Sequence, residues 1–121
     1  MTPREHRHFD AAQREFARLR RDLAGVGFVW VGTVLRRFLP CGRKSCRCHR
    51  NRRYRHGPYF YWTRKLKGKT VSTLLNPDQG RLYQDWVRNR QRLHKTLGRM
   101  YAVSRVAARL ILSNPPPGGN P

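Results

Sequence analysis

Phe9, Ala12, Phe16, Leu19 and Leu23 recur at intervals of 3, 4, 3 and 4, which places them on one face of an amphipathic helix. The preceding "TPRE" supplies the start: Thr2 as N-cap, Pro3 at the first helical position, and Glu5 three residues after the cap to close a capping box. Gly25 supplies the stop. Arg7, Arg14, Arg18 and Arg21 follow the same rhythm on another face, and a solvated basic side accounts for them. From Gly27 the period disappears. "GFVWVGTVLRRFL", ending at Leu39, is rich in β-branched and aromatic residues and reads as a strand, bent or bulged at Gly32. "PYFYWTRKL" and "KTVSTLL", joined through Lys67-Gly68-Lys69, read as a β-hairpin.

"NPDQ" starts the last element, with Asn76 as N-cap, Pro77 at the first helical position and Gln79 at the capping-box position. Leu82, Trp86, Leu93, Leu97, Met100, Ala107 and Ile111 then keep a helical period that Arg90 and Ser104 interrupt. Either this is one long helix, able to pair with a second copy, or two helices broken near Gly98. The expected fold is α+β: an N-terminal helix, a three-stranded antiparallel sheet with a zinc loop between strands 1 and 2, and a long C-terminal helix. One domain is expected over residues 1–112, with the helix in 1–25, sheet and loop in 27–75, and the second helix in 77–112. "SNPPPGGNP", residues 113–121, is expected to be a disordered tail.

Alternation along the second strand puts Tyr59, Tyr61, Thr63 and Lys65 on one side and Phe60, Trp62, Arg64 and Leu66 on the other. Phe60, Trp62 and Leu66 are expected to pack against the long helix. Tyr59, Tyr61, Lys65, Lys67 and Lys69 then face out.

Charge changes the picture most. The 121 residues carry 27 Lys and Arg against 6 Asp and Glu, a net +21. Residues 23–77 hold 13 of the cations and no acid, while Glu5, Asp10, Glu15, Asp22, Asp78 and Asp85 all lie outside that stretch. Self-repulsion on this scale favours a polyanionic partner, and nucleic acid is the commonest one. No apolar run approaches the about 18 residues of a membrane span, and the N-terminus lacks the apolar centre of an export signal. No membrane partner is expected. A cytoplasmic protein is, nucleoid-associated if it binds DNA.

All three cysteines fall in "CGRKSCRCHRNRRYRHGPY", residues 41–59, spaced Cys41-x4-Cys46-x-Cys48-x7-His56. Three thiolates and an imidazole complete the four-ligand set of a structural Zn²⁺, one per chain. Arg43, Lys44 and Arg47 would lower the thiol pKa values and offset the charge of the centre. An odd number of cysteines disfavours a structural disulfide. Redox or nucleophilic thiols lack a Cys-x-x-Cys motif, and unliganded cysteines would leave the loop with nothing to order it. His49 competes with His56 for the fourth position, but the side chain next to a ligand usually points away from the shared metal, which favours His56.

The block from Cys41 to Thr70, with Cys-Gly-x3-Cys-x-Cys, His-Gly-Pro-Tyr, an aromatic strand and Gly-Lys-Thr, resembles a small prokaryotic family classed as a domain of unknown function. The likeness spans roughly residues 27–100. It implies a small strand-and-helix module, with Cys41, Cys46, Cys48 and His56 as the metal set, often near mobile genetic elements. The interval after Cys48 is longer and more Arg-rich here than in the usual pattern. The order strand, strand, strand, helix is also similar to the arm-site DNA-binding modules of tyrosine recombinases, a likeness of element order alone.

The expected function is therefore a zinc-stabilised nucleic-acid-binding protein, DNA ahead of RNA. Its contacts would be Arg36, Arg37, Arg43, Lys44, Arg47, Arg50, Arg52, Arg53, Arg55, Tyr59, Tyr61, Lys65, Lys67 and Lys69. An RNA-binding component of a ribonucleoprotein particle is the alternative. A metal-dependent nuclease ranks lower, because four Cys/His ligands leave no open position and residues 23–77 offer no carboxylate as general base. No catalytic residue and no enzymatic activity are expected.

Overall fold

A computed structural model describes residues 1–116. Along the chain run α1 (Pro3–Ala24), β1 (Thr33–Leu39), two single-turn 3-10 helices (Arg47–His49 and Arg52–Tyr54), β2 (His56–Leu66), β3 (Lys69–Leu75) and α2 (Pro77–Ser113). The strands form one antiparallel sheet in the order β1-β2-β3. The α+β class, both helices and the sheet are as the pattern predicts, and α2 passes through Gly98 as one continuous helix. Of the tail expected from 113, Ser113 is the last residue of α2, and 117–121 lie outside the described residues.

Both predicted capping boxes form. The Thr2 hydroxyl accepts from the Glu5 amide while the Glu5 carboxylate accepts from the Thr2 amide. Asn76 and Gln79 exchange the same pair of bonds at 2.8 and 2.9 Å. Each box satisfies donors that the first helical turn leaves unpaired. The β2–β3 turn is Lys67-Gly68, both at positive φ, 49° and 79°, the primed geometry that matches the twist of a two-residue hairpin.

The described residues divide into two compact units, one of residues 1–26 with 91–116 and the other Gly27–Arg90. In the second unit the first strand is shorter than the sequence suggests. It starts at Thr33, because residues 27–31 spend their hydrogen bonds elsewhere. The Trp30 amide donates to Trp86 O, the Asn89 side chain donates to Phe28 O at 2.8 Å, and the Trp62 indole donates to Val31 O at 2.9 Å. Rings join these contacts into a chain: Phe28 to Trp86 (5.4 Å), Trp86 to Tyr83 (5.5 Å), Tyr83 to Trp62 (5.3 Å) and Trp62 to Trp30 (5.7 Å). Aromatic contacts of this kind contribute about 0.5–1.5 kcal/mol each beyond area burial. Leu75 and Val87 are the buried aliphatic side chains of this unit.

Phe60 and Trp62 face the first turns of α2, as alternation predicts. Phe60 lies so close to Gly80 that a Cβ there would stand 2.5 Å from Phe60 Cγ and 2.8 Å from its Cβ. Leu66 departs from the expectation and is 53% exposed, because it sits at the hairpin end of β2 opposite Lys69.

Two glycines of α2 therefore predict opposite signs. Alanine has the higher helix propensity by about 0.8–1 kcal/mol, and nothing lies within 4 Å of a Cβ at Gly98. Gly98→Ala should raise the thermal midpoint followed by circular dichroism. At Gly80 overpacking costs about 1–3 kcal/mol and outweighs that gain, so Gly80→Ala should lower it.

Candidate metal centre

The sheet register closes the cysteine loop. Leu39, the last residue of β1, pairs with His56, the first residue of β2, after a register shift following Arg37. Cys41 emerges two residues beyond that pair. The Cys46 amide donates to Arg43 O, and Cys46 caps the 3-10 turn Arg47–His49 that carries Cys48. The ligand atoms of Cys41, Cys46, Cys48 and His56 all lie within 4.8 Å of one another and could hold one metal ion. The predicted loop thus ends one residue inside β2, because its last ligand belongs to the strand.

Geometry within the cluster is that of free thiols. Cys41 Sγ and Cys48 Sγ are 3.6 Å apart, and Cys46 Sγ is 3.5 Å from His56 Nε2. The Cys41 amide donates to Cys48 Sγ at 3.3 Å. Cys48 is buried, Cys41 and Cys46 half-buried, His56 exposed. A hydrogen bond from the Cys48 backbone, followed by one from His56, lowers the Cys46 thiol to about 6. Burial pushes the Cys48 thiol up. His49 is not part of the group: its Nε2 lies 2.9 Å from Cys41 O, tying the ring to the backbone of the first cysteine.

The basic residues are distributed by register and by aromatic rings. Arg43, Lys44, Arg47, Arg50, Arg52, Arg53 and Arg55 are all exposed around the cluster. Arg47 and Arg53 both lie over Tyr54, at 4.4 and 5.7 Å from the ring centre, a cation–π contact that orders two of the seven. The sequence reading missed Tyr54, although its place as the one aromatic inside "RNRRYR" is a usable signal. Asn51 shapes the same stretch, its side chain accepting from the Arg53 amide at 3.1 Å.

On the sheet, Arg37 pairs with Tyr59 and Lys65 with Thr70, so Arg37, Tyr59, Tyr61 and Lys65 share one face. Arg37 reaches over the Tyr61 ring at 5.8 Å. Arg36 and Lys69 pair with Phe60 and Leu66 and lie on the opposite face, and Lys67 occupies the turn. The single outward patch expected from the sequence is thus split by strand alternation. Arg36 lies over Phe38 at 5.4 Å and lines a groove of about 550 Å³ with Phe60, Arg81, Gln84 and Arg88. Arg81 and Arg88 were not foreseen as part of a basic surface. Arg64, also outside the expected set, stacks on Trp62 at 3.8 Å and donates to Thr73.

Among the described residues no helix is long and apolar enough to cross a membrane. Residues 9–88 match a family described as a domain of unknown function, DUF6788. This span begins within α1 and ends before the 100 suggested by the sequence likeness. No curated protein and no solved structure matches the chain, so the likeness to recombinase arm-site modules is carried by element order alone.

Two measurements check the cluster. His56→Ala should lower the affinity for one equivalent of metal by at least about tenfold, the scale of losing supporting contacts at a metal site, while His49→Ala keeps the stoichiometry. In metal-free protein, a thiol at about 6 is a thiolate above that pH and a thiol below it. Alkylation of Cys46 should therefore rise with a midpoint near pH 6, with Cys48 reacting more slowly at neutral pH.

Proposed function

The chain belongs to the DUF6788 family, whose description assigns no activity, and on its own residues we propose that it is a zinc-stabilised nucleic-acid-binding protein. The observation that carries the reading is one segment, residues 23–77. It has 13 cations and no carboxylate, and it exposes seven of those cations around a four-ligand cluster.

Zinc is the metal favoured by the donor set. Thiolate and imidazole ligands suit it, and Zn–S bonds of about 2.3 Å imply tetrahedral edges of roughly 3.8 Å between sulfurs. The Cys41–Cys48 separation of 3.6 Å lies near that value. When bound, the ion supplies a rigid crosslink between the end of β1, the 3-10 turn and the start of β2. Three thiolates and Zn²⁺ leave the centre at −1, which the surrounding guanidinium groups offset. Cys46, already poised to lose its proton, and Cys48, held by the Cys41 amide, prepare the loop for the ion.

The polyanion read here is duplex DNA ahead of RNA, since a narrow antiparallel sheet edged with cations fits a major groove. The seven loop cations meet phosphates. Arg37, Tyr59, Tyr61 and Lys65 form a second contact face beside them. Such a protein works in the cytoplasm at the nucleoid. It is a binding protein rather than an enzyme: four Cys/His ligands leave no position for a substrate, and the cationic segment offers no general base.

Filter binding with duplex DNA, single-stranded DNA and structured RNA tests the proposal. Affinity should fall steeply with salt, with a logarithmic slope of roughly −0.9 per phosphate contacted. Replacing Arg50, Arg52 and Arg53 with Gln should reduce that slope by about one unit per lost contact. No retention of any nucleic acid by the zinc-loaded chain at low salt would sink the reading. Retention of structured RNA without duplex DNA would transfer it to a ribonucleoprotein component.

A further inference from the structure

Ring packing uses one face of the sheet and leaves the other open. Phe60 and Trp62 turn toward α2, against Gly80 and Tyr83, so the odd-numbered side chains of β2 point the other way. On that side Tyr61 stands between Leu35 of β1 and Leu74 of β3, and Tyr59 stands beside Arg37. Neither tyrosine belongs to the ring contacts that join Phe28, Trp86, Tyr83, Trp62 and Trp30. Tyr59 is 38% exposed and Leu74 58%, with Tyr61 half-buried.

The charge of this face has one sign. All three strands lie within residues 33–75, where the chain has no Asp or Glu. Arg37 and Lys65, both exposed, flank the two tyrosines. Between Tyr61 and Lys65 comes a row of small hydroxyl side chains, Thr63 paired with Thr33 and with Ser72. The end that carries Tyr59 adjoins the cysteine loop, because His56 of the Cys/His group stands three residues before it on β2. A polyanionic strand laid along β2 therefore runs from the loop cations past two rings to a lysine, and no carboxylate of the sheet repels it.

The rings say which form of nucleic acid this face suits. In a duplex each base is covered by its neighbours at a spacing of about 3.4 Å, so a side chain there meets base edges and cannot stack. A base that has left the duplex stack offers its flat face to an aromatic ring, and such stacking accepts any sequence. Tyr59 and Tyr61, about 6.6 Å apart as alternate residues of a strand, offer two such rings. Arg37 reaches over Tyr61 at 5.8 Å, an exposed cation–π contact that is weaker than a base–ring stack, so an incoming base displaces it. The loop differs. Its Tyr54 ring is already engaged by Arg47 and Arg53, and its free groups are cations suited to phosphates. We propose that the preferred target is duplex DNA adjoining unpaired nucleotides, with the loop cations on the duplex phosphates and the unpaired bases on Tyr59 and Tyr61. The inference rests on the nucleic-acid reading and narrows its target.

Fluorescence anisotropy with the full, zinc-loaded chain tests this on one labelled duplex, either blunt or carrying an unpaired extension of about four nucleotides of either polarity. At least one extended form should bind at least about fivefold more tightly than the blunt form, the low end for one base stacked on a ring. Tyr59→Ala should lower that ratio by a similar factor and leave the salt slope of the extended form unchanged, because an uncharged ring releases no counterion. Tyr61→Ala should act likewise, and if it does not fold, Tyr59→Ala decides. Equal affinity for blunt and extended duplex, or a preference that survives Tyr59→Ala, overturns the inference and leaves the nucleic-acid reading standing. Absence of binding to every form overturns the duplex-DNA reading and this inference together.

Discussion

Repulsion among like charges is the constraint that the unit Gly27–Arg90 has to satisfy. Thirteen cations occupy residues 23–77 without a carboxylate, and the three ion pairs among the described residues, Glu15 with Arg18, Asp78 with Arg81 and Asp85 with Arg88, all lie outside that stretch. The fold answers with separation and with rings. Strand alternation sends neighbouring cations Arg36 and Arg37 to opposite faces. Arg36, Arg37, Arg47, Arg53 and Arg64 each lie over an aromatic ring, whose negative face attracts a cation without neutralising it. The net charge therefore stays available at the surface.

The same economy explains why the aromatic chain and the cysteine cluster sit where they do. Phe28, Trp86, Tyr83, Trp62 and Trp30 hold the segment before β1, the centre of β2 and the first part of α2 together by ring contact. At the other end of β1 and β2 apolar packing gives out. The loop from Cys41 to Arg55 has Cys48 as its one buried side chain, and the strand pair Leu39–His56 brings the first and last members of the Cys/His group to its mouth. A bound ion would replace the missing core there, since ligand bonds order a chain that cannot bury enough apolar surface.

The two helices of the other unit face a different shortage. Their capping is complete at the start of α1 and its tie to the end of α2 is specific, but capping decides where a helix begins and not what it packs against. The apolar period along α2 is regular enough to be read from the sequence, yet Leu97 and Ile111 on that stripe remain substantially exposed. A periodic stripe identifies a face. It does not say whether the same chain supplies the surface that covers it.

Local chemistry was legible from residues alone: both capping boxes, the Lys67-Gly68 turn, the three strands and the spacing of the four candidate ligands. Each depends on neighbours a few positions apart, where covalent geometry restricts the choices. Tertiary structure decided what depends on distant partners. It drew the Trp30 amide to α2 and so started β1 at Thr33 rather than Gly27. It gave His49 to the Cys41 carbonyl and left His56 in the cluster, and it carried α2 through Gly98. It also split Arg36 and Lys69 from Arg37, Tyr59, Tyr61 and Lys65, because a strand's register, set by its neighbours across the sheet, determines which residues share a surface.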